Sequence, residues 1–130
     1  MAIPTVASRL HRRFIMMSGD QKIVAQLRDA LPAGWAMTET LDLGSVGGFQ
    51  DILQHRFILL DLDQQEGFEP IEVVRQVRME LMLNVAILCF GGAPQVRDDA
   101  RLARADRFFE RGEITAKLPL FCEQFGWGGK

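Results

Sequence analysis

The stretch Arg56-Phe57-Ile58-Leu59-Leu60-Asp61-Leu62-Asp63 decides how the chain folds. Phe57 to Leu60 are apolar in unbroken succession, with no polar residue alternating among them. Such a strand must be covered on both faces, the condition of a parallel sheet packed between helices. Val85-Ala86-Ile87-Leu88 repeats the pattern, and further apolar runs begin near Phe14, Trp35 and Phe108. None of these runs is long enough to cross a bilayer.

The intervening segments read as helices. Asp20 is a good N-cap, Ile23, Val24, Leu27 and Leu31 follow at helical spacing, and Pro32 with Gly34 ends that run. A weaker helix holds Val46, Phe49, Ile52 and Leu53, with Gly44, Gly47 and Gly48 blurring its start. Pro70 suits a first helical turn, and Ile71, Val74, Val77 and Leu81 make the apolar stripe of a third helix. Pro94 opens a fourth, polar almost all round, and Ile114, Leu118, Phe121, Cys122 and Phe125 mark a fifth. Five strands alternating with five helices specify an α/β fold. It is a three-layer (βα)5 doubly wound parallel sheet of flavodoxin-like type, because right-handed crossovers must join parallel strands. The functional crevice of such a sheet lies at the carboxyl ends of the strands. The expected domain covers residues 14–125, with tails at 1–13 and 126–130.

Composition narrows the function classes. The chain has 130 residues, 48% of them hydrophobic and 25% charged, which fits one globular domain. Its net charge of −2 supplies no field for nucleic acid or an anionic membrane. Arg9, His11, Arg12 and Arg13 precede only four apolar residues, too few for a signal peptide's hydrophobic segment. Cys89 and Cys122, far apart, read as reduced thiols, so a cytoplasmic location is expected. His55 is expected to end a helix, as a cation matched to its dipole.

The stretch from Arg56 to Asp63, followed by Glu66-Gly67-Phe68-Glu69, resembles the signature of response-regulator receiver domains. In that family a hydrophobic strand ends in the phospho-accepting aspartate. Ala105-Asp106-Arg107-Phe108-Phe109 resembles the family's approach to its fifth strand. The resemblance runs from about Phe14 to Phe125 and places Asp61 at the phosphoacceptor position. It implies a stand-alone signalling domain of two-component (phosphorelay) type, not an enzyme, whose partner is a kinase or a downstream effector.

The other positions of the family's switch are altered. Phosphoryl transfer to a carboxylate needs a Mg²⁺ held by oxygen ligands, among them an acidic pair after the first strand. Met17-Ser18-Gly19 stands there, leaving Asp20 and Asp61 as the candidate ligands. Weak Mg²⁺ binding is therefore expected, and no other cofactor. Cys89 is the candidate for the family's Ser or Thr position, and Arg111 for its Lys, with no proline following. Arginine keeps the charge but not the shape of lysine. These departures predict a pseudo-receiver: phosphorylation at Asp61 weak or lost, Cys89 a packing residue, and Arg111 paired with Asp61.

Two alternatives remain open. One is a working phosphoacceptor with a divergent metal site. The other is a small flavodoxin-like cofactor binder using Gly44, Gly47, Gly48 and the Gly91-Gly92-Ala93-Pro94 loop to hold a phosphate, although no G-x-G-x-x-G or Walker pattern is present. The mixed charges from Arg97 to Glu113 predict a partner-binding face on helix 4, strand 5 and helix 5. A weak homodimer through it is expected, with Leu102 or Phe108 as apolar anchors.

Overall fold

The structure, a computed structural model, describes residues 11–127. Its sheet comprises β1 (Arg12–Met17), β2 (Trp35–Glu39), β3 (Phe57–Asp61), β4 (Ala86–Phe90) and β5 (Arg107–Phe109). The order is β2-β1-β3-β4-β5, and every pairing is parallel. All of β3 is buried. Leu59 and Leu60 are good helix formers, but propensity differences of a few tenths of a kcal/mol cannot compete with burial. Each fully buried Leu, Ile or Phe contributes about 1.5–3 kcal/mol.

Alternation along the strands sorts the core into two layers. Phe14, Met16, Phe57, Leu59, Leu88 and Phe90 pack on one face with α1 (Gln21–Asp29) and α5 (Ile114–Gln124). Ile15, Met17, Ile58, Leu60, Ile87 and Cys89 pack on the other. There they meet α2 (Phe49–Leu53), α3 (Pro70–Arg75) and α4 (Pro94–Leu102). The doubly wound α/β fold expected from the alternation is the fold observed.

Several local expectations need correction. In α2 only Ile52 is buried, and Phe49 and Leu53 face solvent. The third helix does not continue to Leu81 as an α-helix. It widens into a π-helical segment over Gln76–Glu80, closed by Leu81 N–H donating to Gln76 O at 2.9 Å. The wide turn accompanies a buried cation. Arg78 donates to the carbonyls of Leu83, Val85 and Arg104 and to the Asp106 carboxylate. Nothing in the sequence pattern marks it, because a lone arginine in a helix is expected on the solvated face. His55 does end α2, but not as a cation. Its Nδ1 donates to Asp51 O and its Nε2 accepts from Thr38, and burial lowers its pKa, so the ring is neutral.

The expected N-terminal tail over residues 1–13 overlaps β1, which begins at Arg12. Residues 1–10 and 128–130 lie outside the described part. Trp127, assigned to the other tail, stacks on Arg56 with its ring centroid 3.7 Å from the guanidinium carbon.

Candidate functional site

The order of the strands reverses beside β1 and β3, and the loops leaving their carboxyl ends diverge there. Asp61, the last residue of β3, lies in that crevice, and its side chain is 3% exposed. Four donors reach its carboxylate. Ser18 Oγ donates to Oδ2 at 2.7 Å and the Asp63 backbone N–H to Oδ1 at 2.9 Å. Arg111 supplies the other two, Nη1 to Oδ1 at 2.7 Å and Nη2 to Oδ2 at 3.0 Å. A carboxylate has about four lone-pair sites, so Asp61 is saturated.

Arg111 also gathers two further carboxylates, Asp20 through Nη2 at 2.7 Å and Asp63 through Nη1 at 3.1 Å. Its guanidinium carbon stands 5.2 Å from the centroid of the Phe90 ring. Hydrogen bonds to Asp61, then to Asp20, raise its pKa against the opposing effect of burial. The hydrogen bond from Arg111 in turn holds the Asp20 carboxyl below its ordinary range. Asp20 serves twice, because its Oδ1 accepts from the N–H groups of Lys22 and Ile23 and caps α1. The two readings of Asp20, helix cap and inward-facing carboxylate, hold together, one oxygen for each. Asp63, which sequence reasoning quoted but did not single out, completes the cluster. Its place two residues past Asp61 was the available signal.

Glycine shapes the opposite wall. Gly92 N–H donates to Asp63 Oδ1 at 3.0 Å, and Gly91 holds φ of +72°. A Cβ at Gly91 would collide with the Asp63 carboxylate. Four of the five glycine amides proposed as a phosphate cradle are committed elsewhere, that of Gly92 to Asp63 among them. Gly44 N–H bonds Asp42, Gly48 N–H bonds Asp51, and Gly91 N–H bonds Phe109 O. The cofactor-binding alternative therefore loses most of the donors it required.

Cys89 does not belong to the site. It pairs in register with Leu60, one step before Asp61, so its side chain points to the opposite face of the sheet. Phe90 is the residue beside Asp61. Cys89 is fully buried, and burial pushes its thiol up to about 12, as expected of a packing residue.

The residues present do not fit a Mg²⁺ ion as they are arranged. The carboxylates of Asp20, Asp61 and Asp63 converge on a guanidinium, and Ser18 turns its hydroxyl proton toward Asp61. Among the described residues, no group of three or more His, Cys, Asp or Glu side chains is placed to hold a metal. No helix among them is long and apolar enough to cross a membrane.

No family model and no curated protein matches the chain. Solved structures do. A response-regulator receiver domain from Bermanella marisrubri superposes with a TM-score of 0.70 at 18% identity, covering 87% of this chain and 96% of that one. An orphan response regulator of H. pylori, HP1043, gives 0.65 at 13%, covering 88% and 96%. The receiver domain of the sensor histidine kinase PA1611 from Pseudomonas aeruginosa, which has a magnesium ion in its active-site cleft, gives 0.63 at 15%, again covering 88% and 96%. The chain has the receiver fold of two-component response regulators.

Proposed function

We propose that this receiver-fold chain is a signalling interaction module whose acceptor aspartate is held by an internal cation. The saturation of Asp61 by Arg111, Ser18 and the Asp63 amide carries this reading. A carboxylate attacks phosphorus through a free lone pair, and here each is engaged in a hydrogen bond, one of them buried and three part-buried. Freeing one costs about 1.5–3 kcal/mol for a bond to a charged donor, before any chemistry begins. Arg111 also fills the space where a phosphorylated receiver would concentrate positive charge. The module then works through protein contact, in a cytoplasmic setting, without catalysing a reaction. Its partner is a kinase or effector that reads the surface of α4, β5 and α5. Mg²⁺ binds weakly, since entry requires Arg111 to leave.

One observation favours a second reading. Three carboxylates face one guanidinium, an excess of two negative charges that a divalent cation could balance. A working phosphoacceptor would exploit that excess, with Asp20 and Asp63 drawing Mg²⁺ into place of Arg111. Incubation with acetyl phosphate and Mg²⁺, followed by intact-protein mass measurement, separates the two. The internally held module gains no phosphoryl group. A phosphoryl adduct that maps to Asp61 and disappears in Asp61→Asn would overturn it in favour of the second reading.

A further inference from the structure

The amino ends of the strands, opposite the aspartate cluster, carry an unexplained cation. Arg12 opens β1 and stands in register with Trp35 of β2. Strand alternation puts it on the same face as Phe14 and Met16, the face covered by α1 and α5. An arginine therefore occupies the next position of an apolar row, at the open lower end of that layer. Its Nε is buried and has no hydrogen-bond partner among the described residues. A buried N–H left unpaired costs about 1–3 kcal/mol, more when the group is charged.

The Arg12 side chain also lines a cavity of about 350 Å³. Pro32, Trp35, Pro119 and Cys122 give it apolar walls, and Glu123 stands at its exposed rim. Glu123 makes no ion pair with Arg12 among the described residues. The neighbouring arginines are donors themselves, with partners of their own. Arg13 is turned to Gln54, and Arg56 donates to the carbonyls of His11, Phe125 and Trp127. Arg56 has its pKa lowered, first by burial and then by the positive charge of Arg12. An anion entering here would relieve that repulsion.

We propose that this cavity binds a small apolar carboxylate, its charged group on Arg12 and its hydrocarbon or aryl body against Pro32, Trp35 and Pro119. The volume suits a small molecule, within the usual range for ligand cavities. The site lies at the far end of the sheet from Asp61 and does not depend on the reading given for that aspartate.

Octanoate and octan-1-ol serve as matched probes, differing in the charged group. Titration of the full chain should show saturable one-to-one heats for octanoate, with a saturable shift of the Trp35 indole N–H resonance. Octan-1-ol should bind about tenfold or more weakly, the equivalent of one charge-assisted hydrogen bond. Arg12→Gln should lose a similar factor, while Arg13→Gln should stay within about twofold of the wild type, its side chain being turned away from the cavity. A titration that leaves the Trp35 resonance in place overturns the proposal, and this readout needs no variant. So does equal affinity for the alcohol, an Arg12→Gln protein that binds normally, or an equal loss in Arg13→Gln.

Discussion

The guanidinium of Arg111 lies across both oxygens of Asp61, Nη1 2.7 Å from Oδ1 and Nη2 3.0 Å from Oδ2. This two-pronged geometry is the strong form of an arginine–carboxylate contact, and it ties the loop after β5 to the end of β3. The same guanidinium bonds Asp20 at the start of α1 and Asp63 at the start of the β3–α3 loop. One side chain thus fixes three loops at the carboxyl edge of the sheet.

Removing that side chain should be costly. Arg111→Met leaves three carboxylates together, one of them buried, and should destabilise the chain by about 2–3 kcal/mol. A fully buried pair would lose more, but Arg111 is 32% exposed and Asp20 and Asp63 reach water. Asp61→Asn should cost about 1–3 kcal/mol, because Arg111 keeps two partners while Ser18 and the Asp63 amide lose a charged acceptor. The double variant should cost less than the sum of the two. Urea unfolding of the four proteins measures this cycle, and strict additivity would show that the two residues do not act as a pair.

Gly91→Ala should damage the same cluster from the other side. The residue has φ of +72°, and its new Cβ would strike the Asp63 carboxylate. Strain at such a position costs about 1–3 kcal/mol. Thermal unfolding should register the loss. If Asp63 is pushed off Gly92 and Arg111, the Gly92 amide should also exchange its hydrogen faster than in the wild type.

Acid should destabilise the chain in two stages. The folded pKa of His55 is lowered by burial, so the unfolded chain binds its proton first. Stability should therefore be level above the unfolded value of 6.5 and begin to fall as the pH drops below it. Asp20 is also lowered, chiefly by its hydrogen bond from Arg111, so its contribution is present above 3.8 and lost on further acidification. Urea midpoints measured across the acid range should show both stages. His55→Asn should remove the first and keep the second, whereas a single smooth decline unchanged in that variant would contradict the assignment.

Legibility in the sequence followed physical distinctness. The unbroken apolar runs of β3 and β4 had one stable solution, burial between two helical layers, and the (βα)5 order followed from it. The pairing of Arg111 with Asp61 was also readable, since a cation close after β5 had an obvious carboxylate in the crevice. Cys89 was misplaced by one residue, and in a strand one residue is the difference between the two faces of the sheet. Phe90 gave no polar signal to correct the register. Arg78 and the orphan Arg12 were illegible for a common reason. Charged residues in a helix and at a strand start read as solvated until the structure shows Arg78 buried and the Nε of a half-buried Arg12 covered.

The face formed by α4, β5 and α5 should support weak self-association that depends on salt. Leu102 is 83% exposed, and Arg101 lies beside it with its guanidinium 4.6 Å from the Phe108 ring centroid and 3.0 Å from Asp98. Opposite charges thus surround apolar surface, the composition a two-fold contact needs in order to be self-complementary. Each exposed ion pair contributes about 0–1 kcal/mol and is screened by salt, so only a weak dimer can result. Sedimentation should detect dimer at low salt and high protein concentration, and monomer at high salt. Arg101→Glu sets a second acid beside Asp98 and uncovers Phe108. It should abolish association while changing stability by less than about 1 kcal/mol, because the pair it breaks is exposed. A strict monomer at low salt would remove the dimer. Association unchanged in Arg101→Glu would move the contact to another face, and the exposed Met79 and Met82 beside α3 would then be the first surface to test.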